Sequence, residues 1–163
     1  MPAARGVRPG VIVAVDVGRV RVGVAASDPA GLLATPVAAL QRGRGDLDAL
    51  TTLVAERDAV EVVVGLPITL RGHEGVAAEG ATTYAEALAA RVACLVRLVD
   101  ERLSTVAAQH AMRASGVDTR RGRSMVDVAA AVIILQSALD AERANGAPPG
   151  RVVEARTTNE GER

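Results

Sequence analysis

Apolar residues fall along this chain in short β-branched runs, separated by stretches with helical spacing. Val11-Ile12-Val13-Ala14-Val15 is one such run, the pattern of a buried strand continuing to residue 17. Residues 20–27 form a second strand, with Gly18-Arg19 as the tight turn of a hairpin. The turn cluster Asp28-Pro29-Ala30-Gly31 precedes a third strand at 33–40. A polar Arg/Gly loop at 41–45 leads to Asp46, which is expected to cap a helix ending at about residue 58. Leu47, Leu50, Leu53 and Val54 share one face of it. Residues 61–66 form a fourth strand, stopped by Gly65-Leu66-Pro67.

A loop containing Arg71, Gly72 and His73 follows, then a helix from 76 to about 93. Residues 95–99 form a fifth strand, ending in Asp100-Glu101-Arg102. A helix starting at Ser104 or Thr105 closes near Gly116. Residues 117–123 are a basic loop, and Ser124 caps a long apolar helix to about residue 144. Three hairpin-linked strands followed by βα units predict an α/β fold, a mixed sheet with helices on its faces. One domain is expected over 11–144, with a flexible lead at 1–10 and a disordered tail at 145–163.

Composition narrows the function. The chain has 163 residues, enough for one sizeable core. No apolar run approaches the roughly 20 residues that span a bilayer, so no membrane partner is expected. The single Cys94 reads as a small core residue in a reducing cytoplasm. All 19 basic residues are Arg, and Tyr84 is the only aromatic. A platform of rings for stacking single-stranded bases is therefore excluded. The 19 acids leave the chain neutral, which argues against strong nonspecific nucleic-acid binding by the whole surface. A local Arg patch stays open, because guanidinium suits backbone phosphates.

Three acids stand at element ends: Asp16 after the first strand, Glu101 after the fifth, and Asp127 near the start of the last helix. Sites in α/β sheets form at the carboxyl ends of strands. Carboxylates placed this way suit Mg²⁺ or Mn²⁺ and metal-assisted phosphodiester hydrolysis. Each acid has a plainer reading. Asp16 could only turn the chain, and Asp100-Glu101-Arg102 could be an exposed ion-paired loop. Ser124-Met125-Val126-Asp127 resembles a capping box. His73 and His110 complete no Ser/His/Asp or Cys/His arrangement, and the Gly72/Gly75 loop lacks the Gly-Lys-Ser/Thr end of a P-loop.

Four segments, taken in order, resemble the YqgF/RuvX family of RNase H-like nucleases. They are Val15-Asp16-Val17-Gly18-Arg19-Val20-Arg21-Val22-Gly23-Val24-Ala25 with Ser27-Asp28; Val63-Val64-Gly65-Leu66-Pro67 with Gly72 and Glu74-Gly75; Asp100-Glu101-Arg102-Leu103-Ser104-Thr105; and Val126-Asp127 with Ala130-Ala131 and Ile134-Leu135-Gln136. The resemblance implies an RNase H-like fold, a five-stranded sheet of order 3-2-1-4-5. It implies a Mg²⁺- or Mn²⁺-dependent nuclease with Asp16, Glu101 and Asp127 as catalytic and metal-binding acids. It suggests 5′-end maturation of pre-16S ribosomal RNA in the cytoplasm. Val20-Arg21 replaces the family's frequent Lys-Arg, and Arg71 stands where an acid is common. In RNase H folds generally, an acid ends the fourth strand; here that position is Gly65-Leu66-Pro67, and Glu101 lies one strand further out.

On this reading Arg19, Arg21, Arg71, Arg102, Arg120, Arg121 and Arg123 hold phosphates of structured RNA around the acids. A resolvase of four-way DNA junctions is the nearest alternative and calls for a homodimer facing the two-fold junction. A noncatalytic nucleic-acid-binding scaffold is the third reading. An actin-like phosphate-binding ATPase, suggested by Asp16-Val17-Gly18 before an antiparallel strand, would need two such domains.

Overall fold

A computed structural model describes residues 8–68, 74–104 and 120–155, without the side chains of 120–125. The elements are β1 (Ile12–Val17), β2 (Arg21–Ser27), β3 (Ala34–Gln41), α1 (Asp46–Glu56), β4 (Glu61–Leu66), α2 (Val76–Ala89), β5 (Leu95–Asp100), α3 (Arg120–Asn145) and β6 (Arg151–Val153). A single 3-10 turn, Glu101–Leu103, follows β5. The expected helix over 104–116, with His110, lies outside the described residues, as do Arg71 and His73.

The sheet order is β3-β2-β1-β4-β5-β6. β1, β4 and β5 are parallel, and β2, β3 and β6 run against their neighbours. The expected order 3-2-1-4-5 is present, and a sixth strand extends it. β6 corrects the reading of 145–163 as a disordered tail: Val152 pairs with Arg97, and Val153 buries itself against Val96. Two prolines and dense charge hid a strand of only three residues. Arg8–Gly10, expected to be part of a flexible lead, are also tied in. Gly10 N donates to Pro29 O at 2.9 Å.

Strand alternation divides the interior into two layers. Val13, Val15, Val22, Val24, Val62, Val64 and Leu98 face α1 and α2, where Leu50, Val54, Tyr84 and Leu88 meet them. Ile12, Ala14, Ala25, Val63 and Val99 face α3, against Ala130, Ala131, Ile134, Leu135 and Leu139. α3 is also pinned at one edge of the sheet. Gln136 accepts from Ala34 N at 3.0 Å and donates to Leu32 O at 3.1 Å, and Arg143 donates to Gly31 O at 2.7 Å. No described helix is long and apolar enough to cross a membrane.

Two helix starts differ from expectation. Gly45, not Asp46, precedes α1 in the cap position, in a left-handed conformation. Asp46 turns inward instead and accepts from the Tyr84 hydroxyl at 3.1 Å. α3 begins at Arg120, so Arg120, Arg121 and Arg123 belong to a helix rather than a loop.

Glu61, fully buried at the start of β4, sets an electrostatic constraint on the α3 face. Arg97 Nε donates to it at 2.6 Å, and Arg8 bridges it to Glu142 on α3. Such an anion is tolerable only with its cations in place. Arg97→Met is therefore expected to lower unfolding free energy by about 3 kcal/mol, read from urea denaturation. An unchanged midpoint would show that Arg8 alone suffices.

Candidate active site

Asp16 pairs with Gly23 across the β1–β2 ladder, and the β1–β4 register brings Gly65 alongside it. Alternation puts all three on the α3 face, because Ala14, Ala25 and Val63 already point there. The result is a row in which one carboxylate stands between two glycines. Asp16 is 2% exposed. The missing side chains on each side make room for the other two acids.

On one side the room is filled by α3. A Cβ at Gly23 would overlap the carbonyl oxygen of Asp127, so the helix backbone rests directly on β2 there. A Cβ at Gly18, just past the end of β1, would lie 3.8 Å from Asp127 Oδ1. Asp127 thus reaches toward the end of the strand that carries Asp16, and it is completely buried. Its location excludes the capping-box reading: α3 starts at Arg120, two turns earlier.

On the other side the room is filled by Glu101. A Cβ at Gly65 would lie 3.3 Å from Glu101 Oε1 and 2.7 Å from Ile134 Cδ1. Glu101 is 5% exposed although it follows the end of β5. The turn that sends it inward is capped at both ends. Asp100 Oδ1 accepts from Arg102 N at 2.8 Å, while Ser104 N and Oγ donate to Glu101 O at 3.1 and 2.9 Å. Asp100 also grips the Arg102 guanidinium, whose Nη2 stands 2.7 Å from Oδ2. That contact holds the Asp100 carboxyl below the usual carboxylate range. Asp100 therefore shapes the turn, and Glu101 is the member of the pair directed at Gly65.

The glycine at the end of β4 explains how an acid one strand further out can approach β1. Gly65 has no side chain to block it, and Glu is one methylene longer than Asp. As they stand, no three His, Cys, Asp or Glu side chains among the described residues are gathered closely enough to hold an ion. The donor chemistry nevertheless fits a hard divalent cation: three oxygen ligands, all withdrawn from bulk water.

Around this centre, Arg19 is exposed and Arg21 half-buried at the start of β2. Arg102 is engaged by Asp100 through Nε and Nη2. The side chains of Arg71, Arg120, Arg121 and Arg123 lie outside the described residues. The glycine row itself was missed in the sequence. Its signal was present: glycines inside β-branched runs mark places where another backbone or side chain comes close.

A parallel β1-β4-β5 core with an antiparallel hairpin on one side and a long helix across one face is the arrangement of an RNase H-like fold. Comparison with known proteins is specific. The RuvX family profile, described as Holliday junction resolvase, matches residues 10–141, and the chain belongs to that family. A protein of Thermobifida fusca is 51% identical over 155 residues, covering 90% of this chain and 98% of the relative. One from a Nocardioides species is 53% identical over 153 residues, with the same coverage. Both carry the provisional name pre-16S rRNA nuclease. Among solved structures, Thermus thermophilus RuvC in complex with a Holliday junction substrate aligns with a TM-score of 0.59 at 13% identity. It covers 86% of this chain and 99% of that one, a likeness of fold.

The two flanking glycines differ in what an added methyl would meet. Gly23→Ala presses on helix backbone and is expected to cost about 3 kcal/mol. Gly65→Ala presses on the tip of Ile134 and should cost about 1–2 kcal/mol. Adding Ile134→Val removes the atom that is struck, so the double variant should lose less stability than the two single losses combined. Strict additivity in thermal denaturation would refute this packing.

Proposed function

We propose that this protein is a divalent-metal-dependent endonuclease that processes the 5′ end of pre-16S ribosomal RNA. The observation that carries this reading is the convergence of Glu101 and Asp127 on the glycines flanking Asp16. Three buried acids from three separate elements have no packing purpose that apolar residues would not serve better. The nuclease names of relatives at about half identity over nearly the whole chain support the substrate assignment.

Asp16, Glu101 and Asp127 would hold Mg²⁺ or Mn²⁺. When bound, the cation supplies Lewis-acid stabilisation of the scissile phosphate and offsets the charge of the acids. The remaining work belongs to the chain. β1 fixes Asp16 within the sheet, so its carboxylate direction is set by strand geometry. α3 fixes Asp127 by resting on Gly23, and the capped turn fixes Glu101. Acids positioned in this way need little reorganisation as charge develops on the phosphate. Arg19 and Arg21, with Arg71, Arg102, Arg120, Arg121 and Arg123, would neutralise flanking phosphates and orient the strand.

The family's description as Holliday junction resolvase keeps a four-way DNA junction as a second substrate class. That reaction would call for a homodimer presenting two sites to one junction. Cleavage of a pre-16S fragment and of a four-way junction, each with Mg²⁺ or Mn²⁺, separates the two. Wild type should cut the RNA fragment. Asp16→Asn should be slower by at least about 100-fold, equivalent to roughly 3 kcal/mol of transition-state stabilisation. Equal residual cutting by both proteins would refute the acid centre. Absence of cutting by folded, metal-supplied wild type would favour a binding scaffold.

A further inference from the structure

Arginine is unevenly partnered in this neutral chain. Arg8, Arg91, Arg97, Arg102 and Arg143 each contact a carboxylate. Among the described side chains, Arg19, Arg21, Arg42, Arg44, Arg57 and Arg151 form no ion pair, and the fold brings the first four to one end of the sheet. Arg21 pairs with Gln41 at the end of β3, and Arg42 N donates to Val20 O at 2.8 Å. The turn after β1 and the loop after β3 therefore lie side by side. Arg21 lies two residues along β2 from Gly23, on the face that carries Asp16. The charge begins next to the acids and continues over the end of the sheet.

Arg42 is held in place. Its Nη1 donates to Gly18 O at 3.0 Å, and its guanidinium lies over the Tyr84 ring, 5.7 Å from the centroid. Tyr84 is buried and anchored to Asp46, so the chain's only aromatic ring supports this cation and is not free to stack on a base. Arg42 keeps its other N–H donors for a ligand. Arg44 stands between Gly43 and Gly45, both at positive φ, and a Cβ at either would meet no atom within 4 Å. It is exposed in open space. The nearest acids of α1 are already engaged, Asp46 by Tyr84 and Asp48 by Arg91.

We propose that Arg42 and Arg44 extend Arg19 and Arg21 into a phosphate track that grips the sugar-phosphate backbone away from the bond being cut. The proposal rests on the nuclease reading and adds to it the path of the substrate. The described residues of the track include no exposed aromatic ring, and guanidinium forks match phosphate oxygens, so its grip should depend mainly on the backbone and little on sequence. It should set affinity and register, not the chemical step.

The test uses the full-length chain carrying Arg42→Gln and Arg44→Gln. Binding of the pre-16S fragment, of an RNA duplex of scrambled sequence and of a four-way DNA junction is followed by fluorescence anisotropy across a salt series. Removing two phosphate contacts should reduce the slope of log K against log salt by about 2. Equal losses on both RNAs are expected, with KM raised in the double variant and in Arg44→Gln alone, and kcat unchanged in Arg44→Gln alone. An equal loss on the junction extends the track to any backbone, whereas a loss on RNA alone confines it to A-form substrates. Arg44→Gln alone should lower the slope by about 1 without disturbing the turn at Gly18. Arg151→Gln, near the opposite edge, should leave it unchanged. An unaltered slope in a double variant that melts like wild type overturns the track while leaving the nuclease reading intact. Normal RNA binding without cleavage in wild type does the reverse.

Discussion

The close approach of α3 to the sheet at Gly23 is the contact on which the rest of the site depends. A helix normally rides on a sheet at a separation set by side chains from both. Here one of those side chains is absent, and the Asp127 carbonyl occupies its place. The helix is lowered locally onto β2, and this carries its carboxylate toward the end of β1. Ala130 and Ala131, one turn further on, are small and fully buried, which lets the contact continue. Ile134 then reaches Gly65, so the same helix touches both glycines beside Asp16. Position on the helix, width of the gap and direction of Asp127 are therefore one quantity and not three.

The α3 face carries charge at both ends of the sheet, handled in different ways. At the start of β4, Glu61 is buried between Arg8 and Arg97, and Arg8 extends the network to Glu142. That end is a closed structural network of opposite charges. Four residues further along the strand, about 13 Å at strand rise, the face reaches Gly65 and the acids. A helix held at its far end by an ion network and at its near end by backbone contact has little freedom to tilt. Side chains carried by rigid elements are held more exactly than side chains on loops.

Much of this was legible in the chain. The β-branched runs located β1, β2, β4 and β5, because burial on both faces leaves a nearly continuous apolar pattern. Asp16 stood out as a charge closing such a run. Less legible were features decided by tertiary contact. Asp127 looked like a capping residue because Ser124 precedes it by three. Only the earlier helix start at Arg120 removes that reading. Asp46 had the composition of a cap, yet the Tyr84 hydroxyl across the interface drew it inward. β6 is too short for periodicity to register, and its existence depends on the unpaired edge that β5 would otherwise present. Gly23 and Gly65 were visible as letters, but their use depends on what lies above the sheet.

Tyr84 has a consequence of a different kind. With no tryptophan and no phenylalanine elsewhere, the near-ultraviolet optics of this protein belong to one ring. That ring is buried, hydrogen-bonded to Asp46 and covered by Arg42, whose other contact is the turn closing β1. Burial, with the Asp46 charge adding to it, pushes its hydroxyl ionisation well above the ordinary tyrosine range. The molecule therefore carries its own spectroscopic label, unaided by any engineered dye. Its circular dichroism and emission report on the small region joining α1, α2 and the turn that closes β1, and are silent about everything else.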